Sequence, residues 1–155
     1  MDNQKLASIY SISGLFTDTL ESGGTVKLPV KGVSMYPLIR PSRDFVLIEK
    51  SDTYRKYDII FYQRQDGSYI LHRIVGQDDQ GFILAGDSET DKETGVKMSQ
   101  ILAKTTYIIR RNKNIDTNAF LYKMYSRLWV ALMPLRPFII GLWLHFCRLR
   151  NKFLK

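Results

Sequence analysis

Cysteine occurs once in these 155 residues, at Cys147, so an internal disulfide and a multi-cysteine zinc site are both excluded. Histidine is almost as scarce, with only His72 and His145, too few for a histidine-rich metal site. The opening Met-Asp-Asn-Gln-Lys is polar and Ser11 to Gly24 is too polar for a secretory h-region, so no signal sequence is expected here. No internal repeat and no low-complexity stretch is present. Acidic residues are missing from residues 118–155, which hold seven Lys/Arg, whereas residues 1–117 hold sixteen Lys/Arg and fifteen Asp/Glu. Nearly all of the formal net charge of +8 therefore sits in the tail. That basic tail is also the most apolar and aromatic part of the chain, which points to an anionic membrane surface as a partner. The nearly balanced remainder argues against nucleic acid.

Hydrophobic residues make up 45% and charged residues 25%, the composition of a folded chain long enough to bury a core. Residues 5–21 read as an amphipathic helix, with Leu6, Ile9, Tyr10, Leu15, Phe16 and Leu20 at near-helical spacing and Ser22-Gly23-Gly24 as its stop. From residue 25 the period changes to two. Short β-branched or aromatic runs follow at Val26–Val30, Phe45–Ile48, Tyr57–Tyr62, Tyr69–Val75, Gly81–Ala85 and Thr105–Ile109. Gln65-Asp66-Gly67 reads as a hairpin turn between two of them. The fold class expected is mainly β, a domain of short antiparallel strands. The chain divides into an N-terminal helix and linker at 1–24, a β domain at 25–117 and a helical tail at 118–155.

Chemistry concentrates in Lys31-Gly32-Val33-Ser34-Met35-Tyr36-Pro37, a loop between two strands. Gly32 behind and Pro37 ahead would hold Ser34 in a fixed pose, and backbone N–H groups at such a turn can face a developing oxyanion. A serine hydroxyl needs a base. By alternation His72 shares the apolar strand face of Ile70 and Ile74, where a histidine is either a satisfied core residue or a placed base. Lys56, Lys92 and Lys104 stand in polar contexts. Gly86-Asp87-Ser88-Glu89-Thr90-Asp91 follows a strand, where acids can orient a histidine ring or hold the loop. The glycine and terminal glutamate of a calcium loop are missing at the required offsets, and neither metal nor cofactor is expected.

Taken in order, Gly-x-Ser-Met-x-Pro, a strand, Tyr-Asp-Ile-Ile-Phe, Leu-His-Arg-Ile-Val and Gly-Asp resemble the boxes of type I signal peptidases. Those enzymes share a β fold with the LexA-type self-cleaving repressors. The resemblance runs from Val26 to Ile109. It implies a serine endopeptidase that removes a signal or leader segment from a peptide or preprotein substrate. Ser34 would be the nucleophile and its amide an oxyanion donor. His72 would be the general base, as in the subtype in which histidine replaces lysine. Asp87 or Asp91 would be the acid that stabilises His72. Gly32, Val33, Met35 and Pro37 would line the oxyanion and substrate-binding positions. The chain departs from the family at Gly32, where many relatives carry a serine hydroxyl, so its oxyanion donors would be backbone groups alone. It departs again at Ser42-Arg43-Asp44, where Gly-Asp is usual, and at Ser88, where asparagine is common. The family's N-terminal anchor and the repressors' DNA-binding domain are both expected to be absent. A non-catalytic peptide-binding module on the same β scaffold is the alternative reading.

Residues 128–147 contain one full charge, Arg136, and Pro134 and Pro137 divide the tail into two helices. The apolar gain nearly cancels against a central arginine, so an interfacial hairpin is favoured over a span. Trp129, Trp143, Tyr122 and Tyr125 with the basic flanks suit it. The expected location is a membrane surface, the plasma membrane of a bacterium. On that reading, deleting residues 118–155 leaves a soluble β domain with its site intact.

Overall fold

The computed structural model describes residues 16–142 apart from residue 112. The chain folds as a mainly β structure built on one eight-stranded antiparallel sheet. Its strands are β1 (Val26–Pro29), β2 (Asp44–Glu49), β3 (Ile59–Gln63), β4 (Tyr69–Asp78), β5 (Gly81–Ala85), β6 (Glu93–Val96), β7 (Ile101–Arg110) and β8 (Lys113–Asp116). The order across the sheet is β1-β2-β7-β3-β4-β5-β6, with β8 paired to β7. The long β7 serves both halves: one edge takes β2, and the other takes β3 near its start and β8 near its end.

All six expected strands form. Asp66 caps the turn between β3 and β4 by accepting from Ser68 N–H at 2.9 Å, and Gly67 supplies a φ of +83°. The two strands that the pattern did not announce, β6 and β8, are four residues each and mostly polar. Neither carries the apolar alternation by which a strand is recognised.

Alternation divides the interior into two main cores. Ile59 of β3 joins Val46, Ile48, Ala103 and Ile108 in one, which also receives Met35 and Ile39 from the Ser34 loop. Ile60 and Tyr62 join Ile74, Phe82, Leu84, Val96 and Ile101 in the other. In the middle of β4, His72, Arg73, Ile74 and Val75 are all buried, so this strand is covered on both sides.

Residues 16–21 are helical and stop at Ser22-Gly23, and the remainder of the expected first helix lies outside the described residues. After β8 comes helix α1 (Phe120–Ala131), then a 3₁₀ turn (Met133–Leu135), then helical residues 136–142. Pro134 is the second residue of the 3₁₀ turn and Pro137 falls in the first turn of the next helix, where a missing N–H costs little. The prolines thus separate two helices as the sequence indicates. Among the described residues no helix is long and apolar enough to cross a membrane. Trp143, His145 and Cys147 lie outside the described residues.

Candidate active site

Ser34 lies in the turn that joins β1 to β2. Gly32 takes a φ of +77°, a left-handed conformation that favours glycine although a Cβ there would touch nothing within 4 Å. Two side chains root the loop: Met35 is 1% exposed and Ile39 fully buried. Met35 is therefore a core anchor, and its side chain is not a substrate contact as expected. Tyr36 N–H donates to Val33 O at 2.9 Å and Ile39 N–H to Met35 O at 2.9 Å, closing the turn. Among the described residues, Ser34 N–H and Met35 N–H donate to no protein acceptor. Val33 is 66% exposed beside them, and Pro37 follows a cis peptide bond. Asp44 closes the base of the loop, accepting from Arg40 N–H at 3.0 Å and from both Nε and Nη2 of Arg43.

The loop after β5 grips the Ser34 turn from the other side. Ser88 N–H donates to Ser34 O at 2.8 Å, and Ser88 Oγ lies 3.0 Å from both Ser34 O and Val33 O. Gly86 makes that approach possible. A Cβ at Gly86 would stand 2.7 Å from Ser34 O and 2.8 Å from Glu89 Oε2, closer than side-chain atoms tolerate. Ser88 is thus the clasp of this loop.

His72 reaches the same loop from β4. It pairs with Ile60 across the ladder, is 5% exposed, and lies 6.2 Å from the Tyr62 ring. His72 Nε2 is 3.5 Å from Glu89 Oε2, while Nδ1 is buried without a hydrogen-bond partner. Burial pushes the imidazole below the ordinary histidine range; Glu89 opposes that shift and Arg64 reinforces it. The ring is therefore neutral at pH 7, the state a general base requires. The loop after β5 thus touches the Ser34 turn through Ser88 and His72 through Glu89. Among the described residues, however, no hydrogen bond joins Ser34 Oγ to His72.

Neither aspartate expected to support His72 faces it as a partner. Asp87 is fully buried and gives both oxygens to Arg73, at 2.8 Å from Nε and 2.7 Å from Nη2. Asp91 is exposed and forms no ion pair among the described residues. The carboxylate beside the imidazole belongs to Glu89. Arg73, on the opposite face of β4 from His72, also donates through Nη1 to Tyr57 O at 2.9 Å, Ser126 Oγ at 3.0 Å and Tyr122 Oη at 3.2 Å. Burial works against the arginine charge, but Asp87 and Tyr122 outweigh it and hold the guanidinium pKa above its ordinary value.

Helix α1 and the turn after it complete this scaffold. Trp129 Nε1 donates to Asp87 O at 3.0 Å. Arg136, with no solvent exposure, donates through Nη1 to Gly86 O at 2.8 Å and Glu89 O at 3.1 Å, and through Nη2 to Trp129 O at 3.1 Å. Its guanidinium also lies over the Trp129 ring, 5.4 Å from the centroid. Tyr122, Ser126 and Trp129 are buried by this docking. The placement of Tyr122 and Trp129 in a lipid interface is thus corrected: they pack on the β structure, and the tail cannot be removed without uncovering Arg73 and Asp87. The lone charge in the apolar run was the available signal for Arg136, because a buried charge requires partners that the run itself does not supply.

No protein-family model matches the chain, and no curated protein sequence matches it.

Proposed function

We propose that this chain is a serine endopeptidase of the signal peptidase type, cutting a signal or leader segment from a peptide or preprotein. The observation that carries the proposal is the clasp of Ser88 and Gly86 on the Ser34 carbonyl, beside a neutral histidine that faces the same loop with Nδ1 unpartnered. Ser34 Oγ attacks the scissile carbonyl carbon while its proton passes to His72. The Ser34 N–H holds the oxyanion, and the imidazolium then protonates the leaving amine. Water repeats the sequence to release the acyl group. The substrate strand carries small side chains near the cut. No metal or cofactor takes part in these steps.

The outer face of α1 and the helix beyond it supports action at an anionic membrane surface. Phe120, Leu121, Met124, Leu128, Phe138 and Leu142 are exposed there, beside exposed Lys123 and Arg127, with no acid after Asp116. Aromatic and aliphatic groups flanked by cations suit the headgroup boundary of an anionic bilayer.

One observation favours a second reading, a peptide-binding module without catalysis: the Ser34 hydroxyl makes no hydrogen bond to His72 among the described residues. A fluorophosphonate probe separates the two. The endopeptidase labels at Ser34, and labelling disappears in Ser34→Ala and falls by about two to four orders of magnitude in His72→Ala. A folded wild-type protein that takes no label at Ser34 is the module.

A further inference from the structure

We propose that Glu89 is the positioning residue of the base, holding His72 in one orientation and one tautomer with Nε2–H turned to its carboxylate and the Nδ1 lone pair kept for the Ser34 proton. The proposal rests on the endopeptidase reading and supplies the acid for which Asp87 and Asp91 are wrongly placed.

Four groups besides the Tyr62 ring act on the imidazole: Glu89, Arg64, Glu93 and Asp87. Three of them are already committed. Asp87 is held in two hydrogen bonds by Arg73. Glu93 accepts from Tyr62 Oη at 2.6 Å and from Arg64 Nε and Nη2 at 2.9 and 2.7 Å, which also occupies Arg64. Glu89 alone, among the described residues, spends its carboxylate on no other partner, and Oε2 stands 3.5 Å from Nε2. A histidine whose Nε2 carries hydrogen toward a carboxylate presents its lone pair on Nδ1. Nδ1 is the nitrogen that lacks a partner.

The backbone holds Glu89 for this task. Its N–H donates to Gly86 O at 3.2 Å, and Arg136 draws Gly86 O and Glu89 O together. The missing side chain of Gly86 leaves the notch in which Oε2 sits. The Glu89 side chain keeps 43% of its exposure, whereas that of His72 keeps 7%, so the carboxylate sits at the mouth of a buried base. When Ser34 gives up its proton, the new imidazolium charge faces that carboxylate, which stabilises it.

The test measures the His72 ring by NMR in the full chain, with His145→Gln leaving a single histidine. Glu89→Gln removes the charge that favours the imidazolium, so the His72 midpoint moves to lower pH and the preference for Nε2–H is lost. Glu89→Asp, one methylene shorter, restores part of both. Asp91→Asn changes neither. Fluorophosphonate labelling of Ser34 slows about tenfold at neutral pH in Glu89→Gln, on the scale of one lost charge-assisted contact, and its ascending pH limb moves to lower pH. An unchanged His72 midpoint and tautomer in Glu89→Gln overturns the proposal. A midpoint that moves while wild-type Ser34 stays unlabelled overturns the endopeptidase reading and leaves the Glu89–His72 pairing standing.

Discussion

The two faces of helix α1 and its continuation are both apolar, and they differ in the polar groups that accompany them: the inner face buries Tyr122, Trp129 and Met133. The inner face also meets the β structure through polar groups: Ser126 and Tyr122 take hydrogen bonds from Arg73, the Trp129 indole donates to Asp87 O, and Arg136 ties Gly86 to Glu89. The outer face exposes Phe120, Leu121, Met124, Leu128 and Phe138 to solvent. An amphipathic helix ordinarily turns its apolar stripe inward. Here two arginines are buried because Asp87, backbone carbonyls and aromatic rings satisfy them together, and the outer apolar stripe is left for another surface. The inner face is thus part of the site, and the outer face is where attachment is to be sought.

The largest effect tests the inner face. Ending the chain after Thr117 removes Tyr122, Ser126, Trp129 and Arg136 at once, and loss of one buried tryptophan alone costs about 3–5 kcal/mol. The truncated protein is expected to unfold or to melt far below the full chain in calorimetry, where an independent tail would leave the melting temperature unchanged. Asp87→Ala strands the buried Arg73 and is expected to cost about 3–5 kcal/mol in chemical denaturation. Replacing both partners by apolar residues is expected to cost less, since no charge is then left buried alone.

A smaller effect comes from pH. Burial lowers the His72 pKa in the folded state, so unfolding takes up a proton between that value and the ordinary value of about 6.5. The stability gained by keeping the ring neutral is complete above about pH 6.5 and is lost as pH falls toward the folded value. Asp44 and Glu93, whose pKa values are lowered because hydrogen bonds from their arginine and tyrosine partners outweigh burial, hold their contributions down to the carboxylate range near pH 4. Denaturation of wild type and His72→Gln between pH 7 and 5 is expected to show the steeper decline in wild type. Parallel curves would mean that His72 titrates as it does in the unfolded chain.

The smallest effect on stability, and the sharpest on attachment, belongs to the outer face. Leu128→Ser with Phe138→Ser is expected to leave stability within about 0.5 kcal/mol per substitution, as exposed positions do. The same pair is expected to weaken binding to anionic vesicles severalfold, and wild-type binding is expected to weaken in high salt. Vesicle binding that survives both changes would move the attachment surface off this face.

Strand and helix identities were legible because they depend on short-range pattern. The Val26–Val30 run alternates, Phe82–Ala85 is a short continuous apolar run, Gly67 marks its turn and Pro134 marks the break in the tail, and each acts through its own backbone. β6 and β8 escaped, since Glu-Thr-Gly-Val and Lys-Asn-Ile-Asp carry little apolar signal and are strands only because a neighbour offers its ladder. Ser34 and His72 stood out by chemical type: one serine in a Gly–Pro frame, and one histidine on an apolar strand face. Their partners did not. Which carboxylate faces His72 was decided by Arg73, which takes both oxygens of Asp87, and by Arg136, which holds the carbonyls of Gly86 and Glu89 on either side of that loop. Such a choice depends on groups tens of residues apart, each satisfying a charge that the other cannot leave buried alone. Local sequence determined where the candidate side chains stand along the chain; only the tertiary structure, by requiring buried charges to find partners, decided which of them meet.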